Sequence, residues 1–220
     1  MEGFSADVAH ELNTPLTTLI ASTELALRGP GDLGALRDLL GSPLEELRRI
    51  TAIVRDMLFQ SQADHGARAR REPVPSLAAV VDGVVAYHEA ALADAGLQVE
   101  VQGDIAARFD APLLKRAISN LLGNATRYAE PGSTVRIEIA SAGEGHTRLT
   151  VINRGAPIPP DHLPRLFDRF HRVETARPQA DAHHGLGLSI VAAIARMHDG
   201  KTFAQCGDGL TTVGLVLTGD

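Results

Sequence analysis

The sequence predicts an α-helical hairpin that pairs into a dimeric four-helix bundle, followed by an α/β sandwich. Three observations predict it. Two long apolar stripes at helical spacing run as far as Leu58, a polar stretch ending in proline follows, and beyond it helical patterns are interleaved with short alternating strands. A length of 220 residues accommodates two such domains.

The first stripe places Val8, Leu12, Leu16, Leu19, Thr23 and Leu27 three and four residues apart, and Gly29-Pro30-Gly31 ends it. A second helical pattern carries Leu36, Leu40, Leu44, Leu47, Ile50 or Thr51, Val54, Met57 and Leu58 on one face. A start at Ser42-Pro43-Leu44-Glu45, which reads as an N-cap, first-turn proline and capping-box Glu, competes with a kinked helix running through it. One hairpin cannot bury two such stripes, so a homodimer is expected. Residues 64–72 are polar and read as a linker, which gives domains at 1–63 and 73–220. In the second domain the pattern predicts a helix from Ser76 to Ala95, a strand with Leu97, Val99 and Val101, and a helix from Asp110 to Tyr128. Strands at 133–141 and 147–153 form a hairpin around Gly143-Glu144-Gly145. A loop-rich stretch over 154–184 precedes a helix from Leu186 to Met197, and two last strands flank Gly207-Asp208-Gly209.

Composition narrows the function. Apolar residues at 44% and charged residues at 22% fit a chain that buries a core. A net charge of -6 gives no basic footprint for nucleic acid. The single Cys206 cannot form an internal disulfide. No apolar run approaches the ~18 residues of a membrane span, so no membrane contact is expected of these residues. The chain starts inside an amphipathic pattern, and a piece of a longer protein is expected.

His10-Glu11-Leu12-Asn13-Thr14-Pro15 lies in the middle of the first helix, where an interior proline costs about 3 kcal/mol and so needs a reason. An imidazole that is mostly neutral at pH 7 has a lone pair for attack on phosphorus, and the adjacent Glu11 carboxylate can hold the other ring N–H. A zinc-protease reading fails because Thr14 stands where HExxH requires its second histidine. In Asn120-Leu121-Leu122-Gly123-Asn124-Ala125-Thr126-Arg127-Tyr128 two carboxamides one turn apart can offer oxygen to a hard cation such as Mg²⁺. His184-Gly185-Leu186-Gly187-Leu188-Ser189 opens the last helix, where missing side chains let phosphate approach backbone N–H groups.

The segment Phe4 to Leu16 resembles the phosphoacceptor box of sensor histidine kinases of two-component systems. That resemblance implies autophosphorylation of His10, a base or orienting role for Glu11, and for Thr14 the placing of water in dephosphorylation of a response regulator. Residues 120–128 resemble the family's N-box, which implies Asn124 as principal Mg²⁺ ligand, with Asn120, Arg127 and Tyr128 in support. Gly185, Leu186 and Gly187 resemble the second glycine box that closes over the phosphates of ATP. Arg165-Leu166-Phe167-Asp168-Arg169-Phe170 resembles the F-box, and Thr211 and Thr212 the threonine position near adenine, with Thr212 preferred.

Two departures from the family pattern stand out. The first glycine box usually begins with an Asp that accepts a bond from the adenine amino group, but here Asn153 precedes Gly155, and Pro157 replaces a glycine. A neutral acceptor is weaker by roughly a factor of two, so low ATP affinity is expected. His183 stands where a lid glycine is common. The segment resembles the heavy-metal (copper or silver) sensor branch, in which Asn is ordinary. The resemblance implies a cytoplasmic fragment of a sensor anchored in the inner membrane, with a cognate response regulator as partner and metal sensed outside this fragment. His183-His184 read as a solvated pair, and His65, His88, His146, His162, His171 and His198 as scattered. Two other functions compete: a degenerate nucleotide-binding module acting as phosphatase or scaffold, and a hydrolytic ATPase of the wider fold superfamily.

Overall fold

A computed structural model describes residues 2–28, 33–173 and 185–219. The chain divides into two compact units, one within residues 2–59 and the other beginning at Gln60.

The first unit holds α1 (Glu2–Arg28) and most of α2 (Leu33–Asp64). The expected turn at Gly29-Pro30-Gly31 lies outside the described residues. Helix α2 runs unbroken through Pro43, so it begins at Leu33 rather than at a Ser42 cap. In α1 the interior Pro15 is accompanied by Thr17 and Thr18 hydroxyls that donate to the carbonyls of Asn13 and Thr14 at 2.8 and 3.2 Å. Large apolar side chains on both helices meet water: Ile20 is 58% exposed, Leu25 60% and Leu58 62%.

In the second unit a mixed five-stranded sheet has the order β2-β4-β5-β7-β6, formed by β2 (Gln98–Gln102), β4 (Thr134–Ser141), β5 (His146–Arg154), β6 (Lys201–Gly207) and β7 (Leu210–Thr218). Only β2 and β4 run parallel. A small antiparallel ribbon pairs β1 (Glu72–Val74) with β3 (Ala107–Phe109). The expected linker therefore contains the start of a strand, and Pro73 is tolerated there because a two-stranded ribbon leaves edges free of ladder bonds.

Alternation builds the core. Val135, Ile137 and Ile139, then Thr147, Leu149, Val151 and Asn153, then Thr211, Val213, Leu215 and Leu217 are buried, and Arg136 and Arg148 point the other way into solvent. Helices α3 (Leu77–Tyr87), α5 (Ala111–Tyr128) and α6 (Gly187–Met197) pack on this sheet. Helix α5 buries Leu114, Ala117, Ile118, Leu121, Leu122 and Ala125, a stripe at three- and four-residue steps, and each large one contributes about 1.5–3 kcal/mol. Asp110 caps it by accepting from Leu113 N–H at 3.1 Å.

The single helix expected from Ser76 to Ala95 is two helices. Ser76 caps α3, and the chain breaks at His88 before α4 (Glu89–Asp94). His88 N–H is shared between the carbonyls of Val84 and Val85, and its Nε2 meets Ser119 Oγ at 2.7 Å, so a tertiary contact fixes the break. Among the described residues no helix is long and apolar enough to cross a membrane.

Candidate functional site

Three segments of the second unit converge at one end of the sheet. The first is the C-terminal half of α5. Leu121, Leu122 and Ala125 hold its buried face, which leaves Asn120, Asn124 and Arg127 half-buried beside it and Tyr128 exposed. Asn120 Nδ2 donates to the carbonyl of Arg116 at 3.0 Å, which orients the carboxamide so that Oδ1 points away from its own helix. Arg127 lies in the last turn, where the helix dipole favours a cation.

The second segment is the start of α6. A Cβ at Gly187 would stand 3.1 Å from Asn120 Oδ1, so a side chain here would crowd the carboxamide. Gly185 has φ +67, and a Cβ there would meet the backbone of Phe170 at 2.8 Å. Phe170 N–H donates to the Gly185 carbonyl at 3.1 Å, which ties the aromatic segment to the glycine segment. Leu186 between the glycines is buried and leads into α6. The helix therefore presents backbone N–H groups beside Asn120, an arrangement suited to phosphate oxygens.

The third is the end of β5. Gly155 approaches α5 so closely that a Cβ would lie 2.2 Å from the Tyr128 carbonyl oxygen, and Gly155 N–H bonds to the carbonyl of Gly209. Asn153 is 3% exposed, and its Nδ2 faces the Arg154 carbonyl at 3.4 Å, leaving Oδ1 as the acceptor. The strand register pairs Asn153 with Thr211 and Thr211 with Cys206. Thr212 pairs with Ile152 and so points to the opposite face of the sheet. The resemblance prefers Thr212, whereas the threonine that shares a face with Asn153 is Thr211, 6% exposed. Parity along β7 carries that signal in the sequence, since Val213, Leu215 and Leu217 fix which face is the core.

Cys206 joins the same row. Its Sγ accepts from Ile158 N–H at 3.3 Å and lies 3.8 Å from Thr211 Oγ1, which holds the loop after Gly155 against the sheet end. Two histidines read as scattered meet in space: His162 Nδ1 and His171 Nε2 are 3.1 Å apart. Burial, then the charges of Arg165 and His162, hold His171 below the ordinary histidine pKa. Among the described residues no three His, Cys, Asp or Glu side chains converge on a metal-binding point. His183-His184 lie outside the described residues.

In the first unit, the backbone of His10 and Glu11 belongs to α1, and Thr14 is an exposed residue one helical turn after His10.

Two family models match the chain, one at each end. The family described as "His Kinase A (phospho-acceptor) domain" matches residues 1–66, and "Histidine kinase-, DNA gyrase B-, and HSP90-like ATPase" matches residues 109–218. The sensor histidine kinase CusS of Escherichia coli K12 is 42% identical over 198 residues, which are 90% of this chain and 41% of CusS. The probable sensor kinase SilS of Salmonella typhimurium is 38% identical over 211 residues, again 90% of this chain and 41% of the relative. The chain thus spans about two fifths of the length of these curated relatives.

Among solved structures, the histidine kinase AdeS of Acinetobacter baumannii shares the fold with a TM-score of 0.78 at 22% identity, over 96% of this chain and 98% of that one. ThkA, solved in complex with the response regulator TrrA, gives 0.75 at 20% identity over 99% and 61%. ShkA, solved in complex with AMPPNP, gives 0.73 at 19% over 97% and 45%. With a phospho-acceptor match at one end and an ATPase match over half its length at the other, the chain belongs to the sensor histidine kinase family.

Proposed function

We propose that this chain is an ATP-dependent protein-histidine kinase core that phosphorylates itself on His10, passes the phosphoryl group to an aspartate of a response regulator, and dephosphorylates that regulator. The supporting observation is the approach of Gly187 to Asn120 Oδ1, which leaves a side-chain-free cradle between a carboxamide oxygen and a helix N-terminus. Carboxamide oxygens at Asn124 and Asn120 suit a hard cation, and those two residues would hold Mg²⁺. Bound there, Mg²⁺ supplies charge neutralisation of the nucleotide phosphates.

The chain's own residues do the rest. Gly185, Leu186 and Gly187 offer backbone to phosphate, Arg127 offers a cation, and Tyr128 lies by the nucleotide. Asn153, Gly155 and Thr211 form the base end, where Asn153 Oδ1 accepts from the adenine amino group. Because the Arg154 carbonyl takes its Nδ2, the carboxamide is already turned for that role, which favours an active kinase over the degenerate module. His10 attacks the γ-phosphorus with a ring nitrogen, the bond to the bridging oxygen breaks, and ADP leaves. Glu11 holds the opposite ring N–H and offsets the imidazolium charge. Thr14 positions water for regulator dephosphorylation.

The reading places the phosphoacceptor domain at 1–63, a linker at 64–72 and the ATP-binding domain at 73–220, with a homodimer formed through the exposed stripe of α1 and α2. The parent protein is a membrane-anchored sensor whose cytoplasmic part includes this chain, a reading supported by relatives that are sensors of more than twice its length.

The test is labelling from ATP and Mg²⁺ in wild type and Asn124→Ala. Label is expected in the wild type and lost in the variant, with an unchanged melting temperature. Undiminished label in the variant would overturn the assignment of Asn124.

A further inference from the structure

We propose that Gln60 is a positioning residue for the nucleotide site, holding the Gly185-Leu186-Gly187 segment in its binding conformation through the hydroxyl of Ser189. The inference rests on the nucleotide-binding reading of that segment.

Gln60 lies near the end of α2 and is 1% exposed. Its Nε2 donates to Ser189 Oγ at 2.6 Å. Ser189, itself 4% exposed, donates in turn to the carbonyl of Leu186 at 2.8 Å. A two-bond chain from another helix thus grips the peptide that joins Leu186 to Gly187, the glycine that faces Asn120 Oδ1. Leu186 has no side-chain cap of its own to set that peptide. One turn beyond Gln60, Asp64 pairs with Arg169 and, at 3.6 Å, with Arg196 near the far end of α6. The last turn of α2 is therefore fastened along α6 near both ends, and Gln60 is held in place.

The other half of the carboxamide identifies the purpose. Gln60 Oε1 is buried with no hydrogen-bond partner. An unsatisfied buried carbonyl is destabilising, and an apolar side chain of the same length would fill the space without it. A residue chosen for packing alone would not carry that defect; one chosen for its N–H donor would. Nothing in the sequence singles out Gln60, because the bond spans 129 positions.

The test measures ADP affinity with Mg²⁺ and thermal unfolding in wild type, Gln60→Met, Ser189→Ala and the double variant. Gln60→Met keeps the volume and removes both the donor and the orphaned oxygen. The expected result is a melting temperature equal to or above wild type together with an ADP affinity about tenfold weaker. Ser189→Ala is expected to weaken ADP by a similar factor, and the double variant no further, since both act on one chain of bonds. Gln60→Met binding ADP within about twofold of wild type overturns the inference, as does a parallel fall of affinity and melting temperature, which would mark a packing role. Failure of the wild type to bind ADP would instead sink the nucleotide reading, and the inference with it.

Discussion

The two units of this chain solve the problem of burial differently. The second closes its own core: Leu114, Ile118, Ile137, Leu149, Ile190 and Leu215 are all at most 1% exposed. The first leaves Ile20, Leu25, Leu27 and Leu58 in water, each more than half exposed. The second unit buries its core within one chain, whereas the first leaves large apolar side chains in water, the surface that the proposed homodimer would cover.

The largest expected break in the comparison is Ile20→Asp. A carboxylate in the dimer seam should turn a dimer into a monomer by sedimentation, while ADP affinity of the second unit stays unchanged. A variant that stays dimeric would place the seam elsewhere. In the second unit Gly155→Ala forces a methyl group onto the Tyr128 carbonyl oxygen, 2.2 Å from the new atom. It should cost about 3 kcal/mol and abolish nucleotide binding without dissociating the dimer. Chemical denaturation and ADP titration check both parts.

A smaller effect separates the two threonines. Thr211→Val should weaken ADP about tenfold, and Thr212→Val should leave it unchanged, because only the first shares a face with Asn153. The reverse ranking would restore the preference drawn from resemblance alone.

The smallest effect is a pH dependence confined to the second unit. His198 is fully buried, its Nδ1 donating to the Ile194 carbonyl and its Nε2 accepting from Asp110 N–H. Burial holds it below the ordinary histidine pKa of 6.5, and burial acts the same way on His88. As pH falls below about 6.5 the unfolded chain takes up these protons first, so stability declines from there down to the folded pKa values and is flat above. Melting temperatures from about pH 8 to 5 should show this slope in wild type and a shallower one in His198→Gln.

What could be read from the sequence follows the range of each interaction. The stripe of α5 and the hairpin around Gly143-Glu144-Gly145 are local patterns, and both stand where expected. The ribbon of β1 and β3 is not legible in the sequence, because three-residue strands carry no periodicity and Pro73 argues against one. The break at His88 has no glycine or proline to announce it and depends on Ser119, 31 positions away. At the site, the glycines and asparagines were legible as motifs. The facing of Thr211, the Cys206 row and the meeting of His162 with His171 depend on strand register and loop closure, which motifs do not specify.

The most direct test of the central claim, that ATP held by the second unit phosphorylates a histidine on the first, is incubation with γ-labelled ATP and Mg²⁺, comparing wild type with His10→Ala. The account predicts acid-labile, alkali-stable label on the wild type and none on the variant, which should still bind ADP and dimerise. Acid-labile label on His10→Ala, or steady phosphate release with no label on the wild type, would contradict it.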